Sequence, residues 1–95
     1  MKLEEVVQKP LVTEKAARQA ERANEYFFAV HPKADKNTIR RAVETLFGVH
    51  VTRVRTMHRT GKRKRFGRNT GRTPDWKKAI VQLREKETIK IFEGQ

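Results

Sequence analysis

Residues 35–60 read DKNTIRRAVETLFGVHVTRVRTMHRT, and the change of period inside this stretch decides the fold. Asp35 offers a side-chain oxygen suited to cap a helix. Behind it Ile39, Ala42, Val43, Leu46 and Phe47 follow the i, i+3, i+4, i+7, i+8 spacing of one helical face. Gly48 is a natural stop, because glycine enters the left-handed conformation at a helix end with little penalty. Residues 49–60 then read as a long strand. Val49, Val51 and Met57 share one parity and Val54 has the other, so a bulge or strong twist is expected around Arg53.

Working outward, residues 26–31 are rich in aromatic and β-branched side chains and read as a strand terminated by Pro32. Upstream, Thr13 caps a further helix with Glu14 in its first turn, where exposed backbone N–H groups favour negative charge. Ala16, Ala17, Ala20 and Ala23 carry that helix to about Arg22, and their small side chains permit close packing. Val6, Val7 and Leu11 suggest a brief apolar helix or turn that stops at Pro10. Downstream, residues 76–84 alternate Ala79, Val81 and Leu83 against Lys78, Ile80 and Gln82, a strand pattern, and residues 88–92 suggest a short edge strand. The expected architecture is α+β. A single domain over residues 1–95 packs helices on an antiparallel sheet of three to four strands, with a long basic hairpin loop between two of them.

Composition bounds the chemistry. At 95 residues the chain suits one small core, since two would each fall near the limit of unaided folding. It has no cysteine, which removes disulfides, thiolate zinc sites and thiol catalysis and suits a reducing cytosol. The longest apolar run, residues 26–30, falls far short of the roughly 20 residues of a membrane helix. Glu4, Glu5 and Lys9 interrupt Leu3, Val6 and Val7, so the N-terminus reads as neither a signal peptide nor a mitochondrial presequence. No membrane insertion is expected.

No catalytic constellation is visible. His31, His50 and His58 lack ligand spacing, because His50 and His58 on one extended strand lie about 26 Å apart, and no carboxylate cluster accompanies them. They read as surface or phosphate-adjacent groups. Gly61-Lys62 is not a P-loop, since Thr56 stands where its earlier glycine belongs and Arg63 replaces the Ser or Thr. The chain is expected to be no enzyme and to need no metal or cofactor.

The charge is the informative quantity. The formal net charge is +12, and it is unevenly spread. Through Phe47 the two signs are interspersed and nearly cancel. From Arg53 to Lys78 eleven basic residues face the single Asp75, so this stretch carries a net +10. Such a surplus repels itself in a compact body, and a polyanion relieves it. Nucleic acid is the leading partner class, an anionic membrane surface the second.

Residues 61–74, GKRKRFGRNTGRTP, hold six basic side chains, three glycines and no acid. Folded as a hairpin they would reach about 23 Å at roughly 3.3 Å per residue. Their charges lie within a Debye length of about 8 Å of one another, so the free loop is expected to be mobile and to order against phosphates. Loops of this length are usually functional. Lys62, Arg63, Lys64, Arg65, Arg68 and Arg72 are candidate phosphate ligands, as are Arg53, Arg55, Arg59, Lys77 and Lys78 on the flanking strands, and Lys15. Phe66 serves either as a stacking platform for bases or as a small apolar staple. Trp76 is either a core ring at the strand entry or a base contact.

Three stretches resemble bacterial large-subunit ribosomal proteins of the L-twenty-three family. Pro10-Leu11-Val12-Thr13-Glu14-Lys15 is similar to its N-terminal Pro-x-x-Ser/Thr-Glu-Lys signature, and residues 34–49 to its central helix and strand entry. The most specific likeness is Gly61-Lys62-x-Lys64-Arg65-x-Gly67-x-x-x-Gly71-Arg72-x-x-Asp75-Trp76-Lys77-Lys78-Ala79, similar to its loop and following strand. The resemblance implies 23S ribosomal RNA as ligand and a cytoplasmic site on the 50S subunit beside the polypeptide exit tunnel, with residues 61–74 reaching toward the tunnel wall and the nascent polypeptide. It implies docking of trigger factor at Glu14, and proximity to the signal recognition particle and ribosomal protein L-twenty-nine. The stretch Glu85-Lys86-Glu87 lacks the glycine common there in the family. Two other readings accompany this one: a free-standing regulator that binds single-stranded RNA, and an anionic-membrane binder using the loop as a polybasic patch. The first lacks the aromatic octamer of an RNA-recognition sheet.

Overall fold

A computed structural model describes residues 2–61, 63–66, 69–72 and 75–89. Its elements in chain order are α1 (Leu3–Val6), β1 (Val7–Pro10), α2 (Glu14–Ala23), β2 (Glu25–Val30), α3 (Lys36–Phe47), β3 (Val51–Arg59), β4 (Arg63–Phe66), β5 (Asn69–Arg72) and β6 (Trp76–Leu83). Four strands form one antiparallel sheet in the order β1-β2-β6-β3, and β4 pairs with β5 as a separate hairpin. The α+β expectation holds.

Local chemistry sets the helix ends. Asp35 Oδ1 accepts a 2.7 Å hydrogen bond from the Thr38 backbone N–H, and Thr13 Oγ1 accepts one from the Ala16 N–H at 3.0 Å. Each satisfies a donor that the first helical turn leaves without an internal partner. At the other end of α3, Gly48 lies at φ 64° and its N–H reaches the Glu44 carbonyl. Asn24 ends α2 in the same left-handed region at φ 56°, and its side-chain amide donates to the Arg84 carbonyl at 3.0 Å. One residue thereby closes the helix and ties the start of β2 to the end of β6.

The core lies between the sheet and the α1–α3 pair. Phe28, Ile39, Val43, Val6, Val30 and Val81 are its largest fully buried side chains. All six residues of β2 are buried, because α1 and α3 cover one face of the sheet and α2 packs on β2 from the other. A smaller cluster of Ala16, Phe27 and Ile80, with Leu11 and Met57 against it, seats α2. Fully burying a ring such as Phe28 contributes about 2–3 kcal/mol.

Four sequence expectations change. Residues Val7–Pro10, expected to belong to a helix or turn, form edge strand β1 on β2. The ladder runs on as the Leu11 N–H donates to the Phe27 carbonyl, and Pro10, which has no N–H, is tolerated at the end of an edge strand. Leu46, expected inward, is 41% exposed; the inner place in the last turn of α3 goes to Phe47, whose ring stacks on Phe28 with centroids 5.7 Å apart. His50 precedes β3 rather than lying on it. Its backbone N–H and ring Nδ1 meet the Glu87 carboxylate at 2.6 and 2.8 Å. Thr88 and Ile89 adopt no strand, although Ile89 joins the core, and the rest of the expected 88–92 strand lies outside the described residues.

Candidate nucleic-acid interface

The irregularity expected near Arg53 is present, and it builds the site. In the β3–β6 ladder Val51 faces Leu83 while Arg53 already faces Gln82, so Thr52 is the extra residue. Its hydroxyl donates to the Gln82 carbonyl at 3.2 Å. A bulge inverts the parity of everything beyond it. Val51 and Val54 therefore both belong to the α1–α3 core, whereas Arg53, Arg55, Met57 and Arg59 fall on the opposite face.

That opposite face is completed by register. Arg55 pairs with Ile80, Met57 with Lys78 and Arg59 with Trp76, while Phe27 and Ala29 of β2 lie beside Ile80 and Lys78. Directly paired residues of antiparallel strands share a face, so Arg53, Arg55, Arg59, Trp76 and Lys78 stand on one surface. α2 packs on β2 at its border. Met57 and Ile80 lie in the middle as apolar floor.

Electrostatics mark the centre of this face. Burial lowers the Lys78 pKa below its ordinary 10.5, and repulsion from Arg59 and Lys15 adds to the effect. Lys15, from the first turn of α2, is thus within electrostatic reach of Lys78. The Lys78 ammonium also sits 4.3 Å from the centroid of the Phe27 ring, whose electron-rich face offsets part of the desolvation. Among the described residues no carboxylate forms an ion pair with Arg53, Arg59, Lys15 or Lys78.

Arg55 differs. Its Nη2 donates to Glu25 Oε2 at 2.7 Å, and the other oxygen of Glu25 accepts from Gln19 Nε2 at 2.9 Å. Glu25 is only 8% exposed, yet both its oxygens are satisfied. It fixes Arg55 across the sheet and partly neutralises it. Sequence reasoning missed this carboxylate, because nothing local links Glu25 to Arg55, thirty residues on.

Other candidates are dispersed. Lys77 turns to the α3 side, where its ammonium donates to the Ala34 carbonyl at 2.6 Å; the two-residue period of the strand separates it from Lys78. Glu14 is exposed in the first turn of α2, two residues from Val12, which is 49% exposed. Arg63, Lys64, Arg65 and Phe66 belong to β4 and Arg72 to β5, in a register that sets Arg63 opposite Arg72 and Phe66 opposite Asn69. Lys62 and Arg68 lie outside the described residues. At the neck of this hairpin, the Gly61 N–H donates to Asp75 Oδ1 at 2.8 Å. The one acid in the basic stretch thus holds the hairpin base.

Trp76 is partly buried and borders a groove of about 430 Å³ with Gln8, Lys9, Leu11 and Ala29. No helix among the described residues is long and apolar enough to cross a membrane.

A family model described as "Ribosomal protein L23" matches residues 5–91. The chain is 53% identical over 92 residues to the large ribosomal subunit protein uL23 of Anaeromyxobacter dehalogenans, covering 97% of this chain and 95% of that one. It is 48% identical over 95 residues to the protein of the same name from Symbiobacterium thermophilum, covering 99% of each. The Heliobacterium modesticaldum counterpart is 51% identical over 90 residues.

Proposed function

Because the chain belongs to the ribosomal protein L23 family, we propose that its open cationic sheet face and the residue 61–74 hairpin together bind 23S ribosomal RNA. Membership makes the protein a cytoplasmic, non-enzymatic structural constituent of the large ribosomal subunit, with ribosomal RNA and other ribosomal proteins as partners.

The observation that carries the RNA reading is the strand register that gathers Arg53, Arg59 and Lys78 on one face, where Arg59 and Lys15 both repel Lys78 and none of the four has an ion-pair partner among the described residues. Cations pressed together in this way bind phosphate with a gain, because the phosphate removes their mutual repulsion as well as adding attraction. In this reading Lys62, Arg63, Lys64, Arg65, Arg68 and Arg72 supply further phosphate ligands.

The finer placement follows the family resemblance. The hairpin reaches toward the wall of the polypeptide exit tunnel and the nascent polypeptide. The near-neutral half faces proteins: trigger factor, the signal recognition particle and ribosomal protein L-twenty-nine. Support comes from the start of α2, where Glu14 in the first turn and the apolar Val12 just before the helix are both exposed, and Ala16 anchors the helix from behind. A charged group beside an unburied valine is a surface on which another protein can gain contact area.

Replacement of Lys62, Arg63, Lys64 and Arg65 by glutamate tests the RNA reading. With about seven phosphates engaged, log affinity of the native protein for 23S RNA falls against log salt with a slope near −5 to −6. The variant is expected to bind weakly, with a slope shallower by roughly three. Unchanged affinity and slope at two salt concentrations contradict the reading. For the docking surface, Glu14→Ala is expected to reduce crosslinking of ribosomes to trigger factor, and undiminished crosslinking removes Glu14 from that role.

A further inference from the structure

We infer that the groove between β1 and the start of β6 receives a single unstacked ribosomal RNA base, held against the Trp76 ring. The inference rests on the RNA-binding reading above and identifies where on that surface a base, rather than a phosphate, is taken.

The groove has about 430 Å³ of room, and its walls differ in chemistry from the rest of the face. Ala29, 4% exposed, and Leu11 supply apolar lining, and the partly buried Trp76 a planar wall. A phosphate gains nothing from such surfaces, whereas a nucleobase covers them with its flat, weakly polar ring. The rim is polar: Gln8 and Lys9 border it, and both are exposed.

Register fixes what lies next to it. Arg59 is the direct partner of Trp76, Lys78 is two residues on along the same face, and Lys9 pairs with Ala29. Two residues of strand span about 6.6 Å, so cations stand within reach of the phosphates flanking a base seated on Trp76. Lys78 is moreover crowded by both Arg59 and Lys15. An uncharged apolar peptide fits the floor but leaves this rim unused; a base with its own phosphates uses both. A duplex cannot present a ring face, so the occupant is an unpaired nucleotide.

Trp76 is the chain's only tryptophan, so its fluorescence reports the groove alone. The experiment titrates the full-length protein with 23S ribosomal RNA transcript, following Trp76 emission and acrylamide accessibility alongside filter binding. Saturating RNA is expected to quench and shield Trp76. Trp76→Ala is expected to weaken binding roughly 5- to 100-fold at every salt concentration with the salt slope unchanged, since a stacked base releases no counterions. Trp76→Phe is expected to restore most of the affinity, which separates stacking from misfolding. Lys78→Ala should instead make the slope shallower by about one. Binding with unaltered emission and accessibility, or native affinity in Trp76→Ala, overturns the inference while leaving the RNA reading intact. Failure of the native protein to bind overturns both.

Discussion

The two faces of one four-stranded sheet have opposite chemistry here. On the α1–α3 side Phe28, Val30 and Val81 lie under helices in a core closed to water, with Val54 packed at its edge. On the other side the same strands present Arg53, Arg55, Arg59 and Lys78 around a small apolar floor, with α2 packed at the β2 border. A single extra residue in β3 produces much of the difference. Without the bulge at Thr52, Val54 would leave the core and the arginines would point into it. Apolar burial holds the fold together on one face, so uncompensated charge can be carried on the other.

The largest expected effect breaks the comparison on the closed side. Phe28→Ala removes a fully buried ring and its stacking on Phe47, and should cost about 3–5 kcal/mol in denaturant unfolding. A much smaller loss would show that this core carries less of the stability than its burial implies.

A smaller effect sharpens the contrast at its one crossing point, the acid on the cationic face. Glu25→Gln removes the charge that holds Arg55, and stability should fall by about 1–3 kcal/mol. RNA binding should move the opposite way, tighter and with a salt slope steeper by up to about one, as Arg55 becomes available to phosphate. If both quantities fall together, Glu25 orients Arg55 for RNA instead of restraining it.

The smallest effects are in pH dependence and carry opposite signs for the two kinds of group. The Thr38 N–H holds the Asp35 carboxyl below its ordinary 3.8, and hydrogen bonds from His50 hold Glu87 below 4.5. Both carboxylates favour the folded state above those values, and their contribution is lost as pH falls through the lowered ones. Asp35→Asn and Glu87→Gln should therefore flatten the acid limb of a stability profile. Lys78 behaves conversely. Its lowered pKa disfavours folding while the ammonium is charged, so stability should rise slightly as pH climbs through that value toward 10.5. Bound RNA should move the Lys78 titration, followed by NMR at Nζ, back upward; an unmoved titration would separate Lys78 from the RNA surface.

Legibility follows the range of the interactions involved. Thr13, Asp35 and Gly48 act within four residues, so their helix ends were readable from neighbours alone. The bulge was readable because a parity change among Val51, Val54 and Met57 is also local. Edge strand β1 was not, since its four residues pair with β2 some twenty positions away and show no strand pattern of their own. Nor was the division of Lys77 from Lys78, or the pairing of Glu25 with Arg55, because both depend on which strands are neighbours.

By itself the amino-acid order determined where the positive charge lies, that α2 and α3 are helical, and the family. These are properties of composition, period and motif, and they survive in an unfolded chain. Only the tertiary structure decided that Arg53, Arg55, Arg59 and Lys78 share one face with Lys15 close to Lys78, that Glu25 restrains one of them, and that Trp76 borders a groove. The physical reason is the sheet order β1-β2-β6-β3, in which β6 bridges β2 and β3. Hydrogen-bonded register converts distant positions into neighbours, and no local pattern specifies that register in advance.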